Sequence, residues 1–432
     1  MNQNQATFVQ RTLRPLTTGG VRQSIFTLIS SALGGGIMCL PYVMFLGGWF
    51  IGTLMLSVAA VLAYYSMKIL FLAATKTGIY SYGALLSHAT SPIAGPLLDI
   101  IIVLYGSGVV IAYYVFLGDF IPSLGDALGL TFLTNRTVAL VLCCVCAIPL
   151  AFPRKLSALQ YISPVSTLAL VLTAIVALIR LPSMRETLTP EESQLDLGIF
   201  GLHLFKCFTI SLFAFVCHMN VVSVAGELIH PTAPRASKIA FRASSTQLIF
   251  YLVIGISGYM SFGQTVKQNF ITNYPIDDTL IVVCRFLLTL TIFFALPINS
   301  NPTANAFVHL LLTVGMGAPG TPPQSPRAED MEAPLLMISD DEPLKNVRIG
   351  MGIFVLIQGM VVAIYAPGVA DVISILGGSF GTLIMLVCPA IIYYRVFKDQ
   401  MTERKSQIMI GTLAFASLVS AIAVACTVMK LI

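Results

Sequence analysis

The 432-residue chain reads as an all-α, multi-pass membrane protein of 11 transmembrane helices, built as a 5+5 inverted repeat with one further span. Three observations predict this. Hydrophobic residues make up 56% of the chain and charged residues only 10%, with a mean hydropathy of +0.88, far from the norms of soluble domains. Apolar runs of about 20 residues, the length that crosses a hydrocarbon core, follow one another along the chain. The first of these runs holds three consecutive glycines where a membrane helix would be continuous.

Residues 1–23 form a polar tail carrying Arg11, Arg14 and Arg22 with no cleavage pattern, so the first span is the expected membrane-targeting signal. The spans are expected at 24–46, 48–72, 98–121, 136–153, 157–180, 201–225, 243–262, 278–298, 348–367, 372–394 and 408–430, within a transmembrane domain of 24–430. With the N-terminus in the cytoplasm, Lys and Arg favour the inner loops by roughly three to one, as the positive-inside rule requires. Residues 314–346, rich in proline and acidic side chains, read as a disordered cytoplasmic loop. The outer loop 181–199 is polar and acidic, and the sequon Asn135-Arg136-Thr137 lies too close to the fourth span to favour a glycan. The nine cysteines fall mostly within spans and read as small buried hydrophobes, not as a disulfide framework or a metal site. A net charge of +5 in such a chain reflects sidedness and gives no reason to expect a nucleic-acid partner.

The break itself is Ser30-Ser31-Ala32-Leu33-Gly34-Gly35-Gly36-Ile37. Each glycine weakens a helix by roughly 1 kcal/mol, and lipid tolerates an open helix only where the break faces protein or a water-filled cavity. Broken helices near the midplane are how many carriers build a small-solute site; the alternative use of such a run is close helix packing. The sixth span echoes the first: Phe26-Thr27-Leu28-Ile29-Ser30-Ser31-Ala32 against Phe208-Thr209-Ile210-Ser211-Leu212-Phe213-Ala214. Under the topology above the two run in opposite directions, five spans apart, as an inverted repeat requires.

Further along, the residues resemble a known family. Ser31 to Tyr42 is similar to the first-helix motif of the amino acid/auxin permease family, which includes sodium-coupled neutral amino acid transporters and vacuolar amino acid transporters. Phe213 to His218 with Glu227-Leu228 resembles its sixth-helix motif. Gly258 to Gly263 with Asn269 resembles the seventh, Asp277-Asp278 with Arg285, Leu296-Pro297 and Pro302 the eighth, and Asp371 with Ile375 to Gly378 and Pro389 the tenth. The resemblance covers nearly the whole chain. It implies a LeuT-like 5+5 fold and secondary active transport of amino acids by symport with sodium or a proton, with no enzymatic activity and no cofactor beyond the coupling ion.

Roles follow from the chemistry of an amino acid. Its α-carboxylate suits backbone N–H groups freed at an unwound helix, here at Ser31, Ala32, Gly34, Gly35 and Gly36. Carbonyls freed between Ser211 and Phe215 would accept from its α-ammonium, with Phe213 and Phe215 as gate or pocket wall, or as ordinary packing. Coupling-ion candidates are Ser30, Thr291, Asn299 and Ser300 for sodium, and His218 for a proton. Phe294-Ala295 occupies a stretch where a sodium site wants a hydroxyl, so proton coupling stays open. Glu227 and Arg285 are gate or ion-pair candidates; Lys206 is expected to snorkel to the outer surface. Tyr105, Tyr113 and Tyr114 suit a site wall or packing equally. No acidic residue lies deep in the first, third, sixth or eighth span, which favours neutral substrates. A monomer in the plasma membrane or a vacuolar or lysosomal membrane is expected, with an amino acid-sensing transceptor as the alternative function.

Overall fold

The computed structural model describes residues 19–32, 34–151, 162–313, 342–366, 368–400 and 403–431. Helix α1 (Val21–Ala32) stops where the glycines begin. Gly34 is extended (φ −126°, ψ −160°), and the chain re-enters as a 3₁₀ turn, Gly35–Cys39, that runs into α2 (Leu40–Thr77). Pro41 sits in the first turn of α2, where its missing N–H removes no helical bond.

Helix α2 is two rods meeting at Gly48, whose φ of 76° and ψ of 159° end one and start the other. Only glycine adopts such a backbone without strain. The loop before the sixth span closes this corner: Asp196 and Leu197 carbonyls accept from the N–H groups of Trp49 and Phe50, and Ile199 N–H donates to Gly47. The expected boundary between residues 46 and 48 therefore falls on the corner.

The remaining helices are α3 (Tyr82–Ala89), α4 (Ala94–Leu128), α5 (Arg136–Ala147), α6 (Ile162–Glu186), α7 (His203–Ala214), α8 (His218–Glu227), α9 (Ala233–Phe262), α10 (Thr279–Thr313), α11 (Glu342–Tyr365), α12 (Val369–Leu376), α13 (Cys388–Val396) and α14 (Glu403–Leu431). Two π-helical turns, Gly377–Gly381 and Leu383–Val387, join α12 to α13. Among the described residues, eight helical stretches are long and apolar enough to cross a membrane, so the chain is an all-α multi-pass membrane protein. Residues 314–341 of the expected loop lie outside the described residues, as does 152–161 at the fourth and fifth spans.

Several helices outrun their expected spans, α9 among them, which starts at Ala233 against an expected 243. Helix α4 covers 94–128 against an expected 98–121, α6 reaches Glu186 against 180, and α10 continues to Thr313 against 298, through Pro297 and Pro302. Hydropathy registers only the part of a helix that meets hydrocarbon, while the hydrogen-bond ladder continues past it. Membrane helices also absorb prolines, because neighbouring groups re-satisfy the freed carbonyls.

The stretch His203–Glu227 is the most enclosed of the eight. Helix α9 packs along α2, and Pro41 lies so close that a Cβ on Gly258 would come 2.4 Å from its ring. Small residues permit such approaches where lipid supplies no hydrophobic drive between helices. Hydroxyls supply the polar joints: Thr209 of α7 meets Ser374 of α12 at 2.8 Å, and Ser374 meets Thr427 of α14 at 3.2 Å.

Candidate functional site between two broken helices

The sixth expected span is broken too, but later than the expected Ser211–Phe215 stretch, of which Ser211 to Ala214 stay helical. Helix α7 ends at Ala214, Phe215 to Cys217 leave the helical path, and α8 starts at His218. The second break is buried in protein and the first opens onto a cavity, the two surroundings in which a membrane tolerates a broken helix. At the first, Gly34 N–H turns back to the Ala32 carbonyl at 2.8 Å. Beyond it, the first N–H groups of the 3₁₀ turn, at Gly35 and Gly36, have no preceding turn to donate to.

A cavity of about 830 Å³ reaches the first break. At its inner end it is lined by Ser31, Gly34, Gly35, Met38 and Tyr113. It runs to one end of the bundle, where Gln23, Tyr80, Asp99 and His309 form the mouth. Asp99 is bonded to His309 Nδ1 at 2.6 Å. The opposite end holds a separate vestibule of about 530 Å³, lined by Tyr42, Asp119, Arg136, Asn269 and Val369 among others. Between the two lies packed protein: a Cβ on Gly35 would stand 2.5 Å from the Phe116 ring, and one on Gly36 would stand 3.1 Å from Phe213.

The expected site residues divide. Ser30, Ser31, Gly34, Gly35, Thr291 and Asn299 line the cavity together. The hydroxyls of Ser30 and Thr291 are buried without a hydrogen-bond partner, the state of groups that await one. The Asn299 amide donates to the Ala295 carbonyl at 3.0 Å. Ser31 donates to Thr27 at 2.7 Å.

Others stand behind the wall. Gly36 and Phe213 pack on each other, with the Phe213 ring 6.0 Å from Tyr105. Ser211 is buried and bonded to Cys207, Phe215 is fully buried, and Ser300 is buried near the Pro297 carbonyl at 3.4 Å. The Ala32 and Ala214 carbonyls are both bonded to the Tyr251 hydroxyl, so the Ala214 oxygen is already committed to a donor from α9. His218 is fully buried and sits 2.7 Å from the Ser66 hydroxyl. The Ser66 hydroxyl also lies 2.8 Å from the Leu62 carbonyl, and His218 Nδ1 is buried without a hydrogen-bond partner. His218 does not line the cavity.

The charged candidates turn out differently from expectation. Arg285 is buried and donates to the carbonyls of Ile271 (3.1 Å), Tyr274 (2.8 Å) and Pro275 (3.3 Å), clamping the chain that follows α9. It does not face the cavity. Its expected neighbour Asp278 instead caps α10 and pairs with Arg180 at 2.7 Å. Glu227 is exposed at the end of α8; of Arg154, Lys155 and Lys238, the cations considered as its partners, the first two lie outside the described residues and Lys238, within them, forms no ion pair with it. Lys206 does not snorkel: it pairs with Asp371 of α12 at 2.5 Å, the two side chains 11% and 14% exposed. Gln268 donates to the same carboxylate at 2.9 Å. Beside this pair, Asp119 accepts from Arg136 and Asn269, each at 3.1 Å. These bonds tie α4, α5, α7, α12 and the loop after α9 together at the end opposite the mouth. Asn135 caps α5 by accepting from Thr137 and Val138 N–H.

Sequence reading missed Tyr251, Met38 and the Lys206–Asp371 pairing. Lys206 and Asp371 are 165 positions apart. The signal available for them was a charge near a span end in each of two helices, which does not say that they meet. Among the described residues no group of His, Cys, Asp or Glu could hold a metal ion.

Three known proteins are similar to this chain. A Toxoplasma gondii protein that carries the name amino acid transporter AAT1 is 32% identical over 349 residues, 79% of this chain and 48% of that protein, so the chain spans about half the length of that relative. The vacuolar amino acid transporter 6 of Saccharomyces cerevisiae is 26% identical over 435 residues, 91% of this chain and 93% of that protein. The solved structure of a Na+-coupled sialic acid symporter has a similar fold, with a TM-score of 0.54 at 13% identity over 94% of this chain and 88% of that one. The model of the transmembrane amino acid transporter protein family matches residues 17–432, and with two helices broken around a shared cavity the chain belongs to that family of transporters, which is not a family of enzymes.

Proposed function

We propose that the protein carries neutral amino acids across a membrane by secondary active transport, driven by a sodium ion or a proton. The carrying observation is a cavity that reaches the first helix break from one end of the bundle while a network of partly buried ion pairs joins the helices at the other. That is one half of an alternating-access cycle. The α-carboxylate is held beside Ser31 and Gly34, where the freed N–H of Gly35 favours an anion. Ser30, Thr291 and Asn299 supply oxygens to a coupling cation. The preference for neutral substrates rests on Asp99, the carboxylate in the cavity wall, which lies at the mouth already bonded to His309.

The wider reading is an eleven-span LeuT-like 5+5 inverted repeat, supported by the two breaks lying five expected spans apart. The loop charges support a cytoplasmic N-terminus, which makes the open mouth cytoplasmic and the Lys206–Asp371 end outer or lumenal. The Saccharomyces relative supports a vacuolar-type membrane, with the plasma membrane as the other site. Residues 314–341 act as a cytoplasmic loop, shorter than the expected 314–346 because α11 already starts at Glu342, and the carrier works as a monomer. Uptake of a labelled amino acid panel into proteoliposomes, under separately imposed sodium and proton gradients, tests all of this. Accumulation of neutral amino acids under one gradient is expected; linear, unsaturable flux or no accumulation by folded protein overturns the reading.

A further inference from the structure

We infer that Tyr251 is a positioning residue that fixes the spacing of the two helix breaks by holding both with one hydroxyl. The inference rests on the transport reading for its functional consequence, though not for its geometry. Tyr251 lies in the middle of α9 and is 1% exposed. Its hydroxyl oxygen is 2.6 Å from the Ala214 carbonyl and 3.2 Å from the Ala32 carbonyl. Those residues end α7 and α1, and a terminal carbonyl has no helical donor of its own. Carbonyl oxygens only accept, so the phenol proton serves both, with the shorter bond to Ala214.

The surroundings favour the same role. The Tyr251 ring meets Phe215, the first residue of the second break, edge-on at 4.9 Å between centroids. One turn earlier on α9, Gln247 is fully buried and donates to the Leu28 carbonyl of α1 at 3.2 Å. One rigid helix thus grips both interrupted ones. Without the proton, the buried Ala214 carbonyl loses this side-chain donor and Ala32 keeps only the Gly34 N–H, which costs the desolvation of a buried acceptor at the second break and slackens the first. Gly34 N–H is anchored on the Ala32 carbonyl, so a shift of Ala32 moves the site N–H groups that follow. Holding the segments in place before substrate arrives lowers the ordering cost of binding, and small displacements at such a site are felt strongly.

The test compares Y251F with Y259F. Tyr259 lies two turns along the same helix, is equally buried, and its hydroxyl accepts from Asp196 N–H in the loop, away from both breaks. Hydrogen exchange of substrate-free protein is read over residues 28–38 and 211–219. Y251F is expected to speed exchange in both segments together, and Y259F in neither. In proteoliposomes, KM for the transported amino acid is expected to rise about tenfold in Y251F with maximal rate per folded carrier nearly unchanged. Faster exchange in one segment only, in neither, or a lowered maximal rate at unchanged KM overturns the inference. If Y251F does not fold, F215L removes the ring that seats the phenol and keeps its hydroxyl; a smaller change in the same direction in both segments is expected, and no change overturns the proposal. Wild-type protein without uptake counts against transport, and the exchange measurement still decides the tie.

Discussion

At the residue scale, position 35 admits no side chain. A Cβ there would meet the Phe116 ring at 2.5 Å, and Phe116 is itself fully buried. We expect G35A to lose most uptake and about 1–3 kcal/mol of stability by overpacking, and G35A combined with F116L to recover part of both; thermal unfolding in detergent beside uptake checks this. Loss of uptake at unchanged stability would mean that the glycine's N–H conformation matters more than the space. Arg285 is the contrasting case. Three carbonyls depend on it, so R285M should cost about 3 kcal/mol yet leave the KM of the surviving carrier unchanged. A stable R285M with no transport would return Arg285 to a gating role. The glycine was legible in sequence because helix propensity is a local property. The partners of Arg285 were not, since its carbonyls are backbone atoms that every residue possesses and only the path of the chain brings near.

At the element scale, the breaks and corners carry the design. Gly48 turns α2 with a positive φ, and a Cβ there would stand 2.7 Å from the Gly198 nitrogen. G48A is therefore expected to destabilise the corner by about 1–2 kcal/mol from backbone strain alone, and to speed hydrogen exchange at Trp49 and Phe50, whose N–H groups bond the 196–197 carbonyls. Unchanged exchange there would show that the loop grips the corner without the turn. Span positions were readable from hydropathy because each crossing must be apolar for its full depth. The short α3 escaped because eight residues make no crossing. The overruns of α4, α6 and α10 escaped because a helix in the headgroup region needs no apolar signal.

At the scale of the whole molecule, one end is open and the other is shut. The shut end is held by Lys206–Asp371 and by Asp119 with Arg136 and Asn269. Such half-buried pairs hold chiefly because breaking one strands a charge. K206M is expected to loosen that end. Cys39, fully buried beyond the break, then labels several times faster with a membrane-impermeant maleimide from the outer side, in a background lacking the other cysteines. D371N should act in the same direction, since Gln268 also loses its charged acceptor. If labelling is unaltered in both variants, the network is a structural joint and the gate lies elsewhere.

What the sequence determined by itself was the membrane class and the place of the first helix break. Each of these depends on consecutive residues: a run long and apolar enough to cross, and a glycine triplet that no lipid-facing helix would keep. What only the tertiary structure decided was which polar groups meet. Tyr251 finds Ala32 across 219 positions and Ala214 across 37, and Lys206 finds Asp371 rather than the surface. Hydropathy is nearly blind to the rotation of each helix about its own axis. That rotation, set by small-residue packing and by the need to satisfy every buried donor, determines which side chains face the breaks and which face lipid.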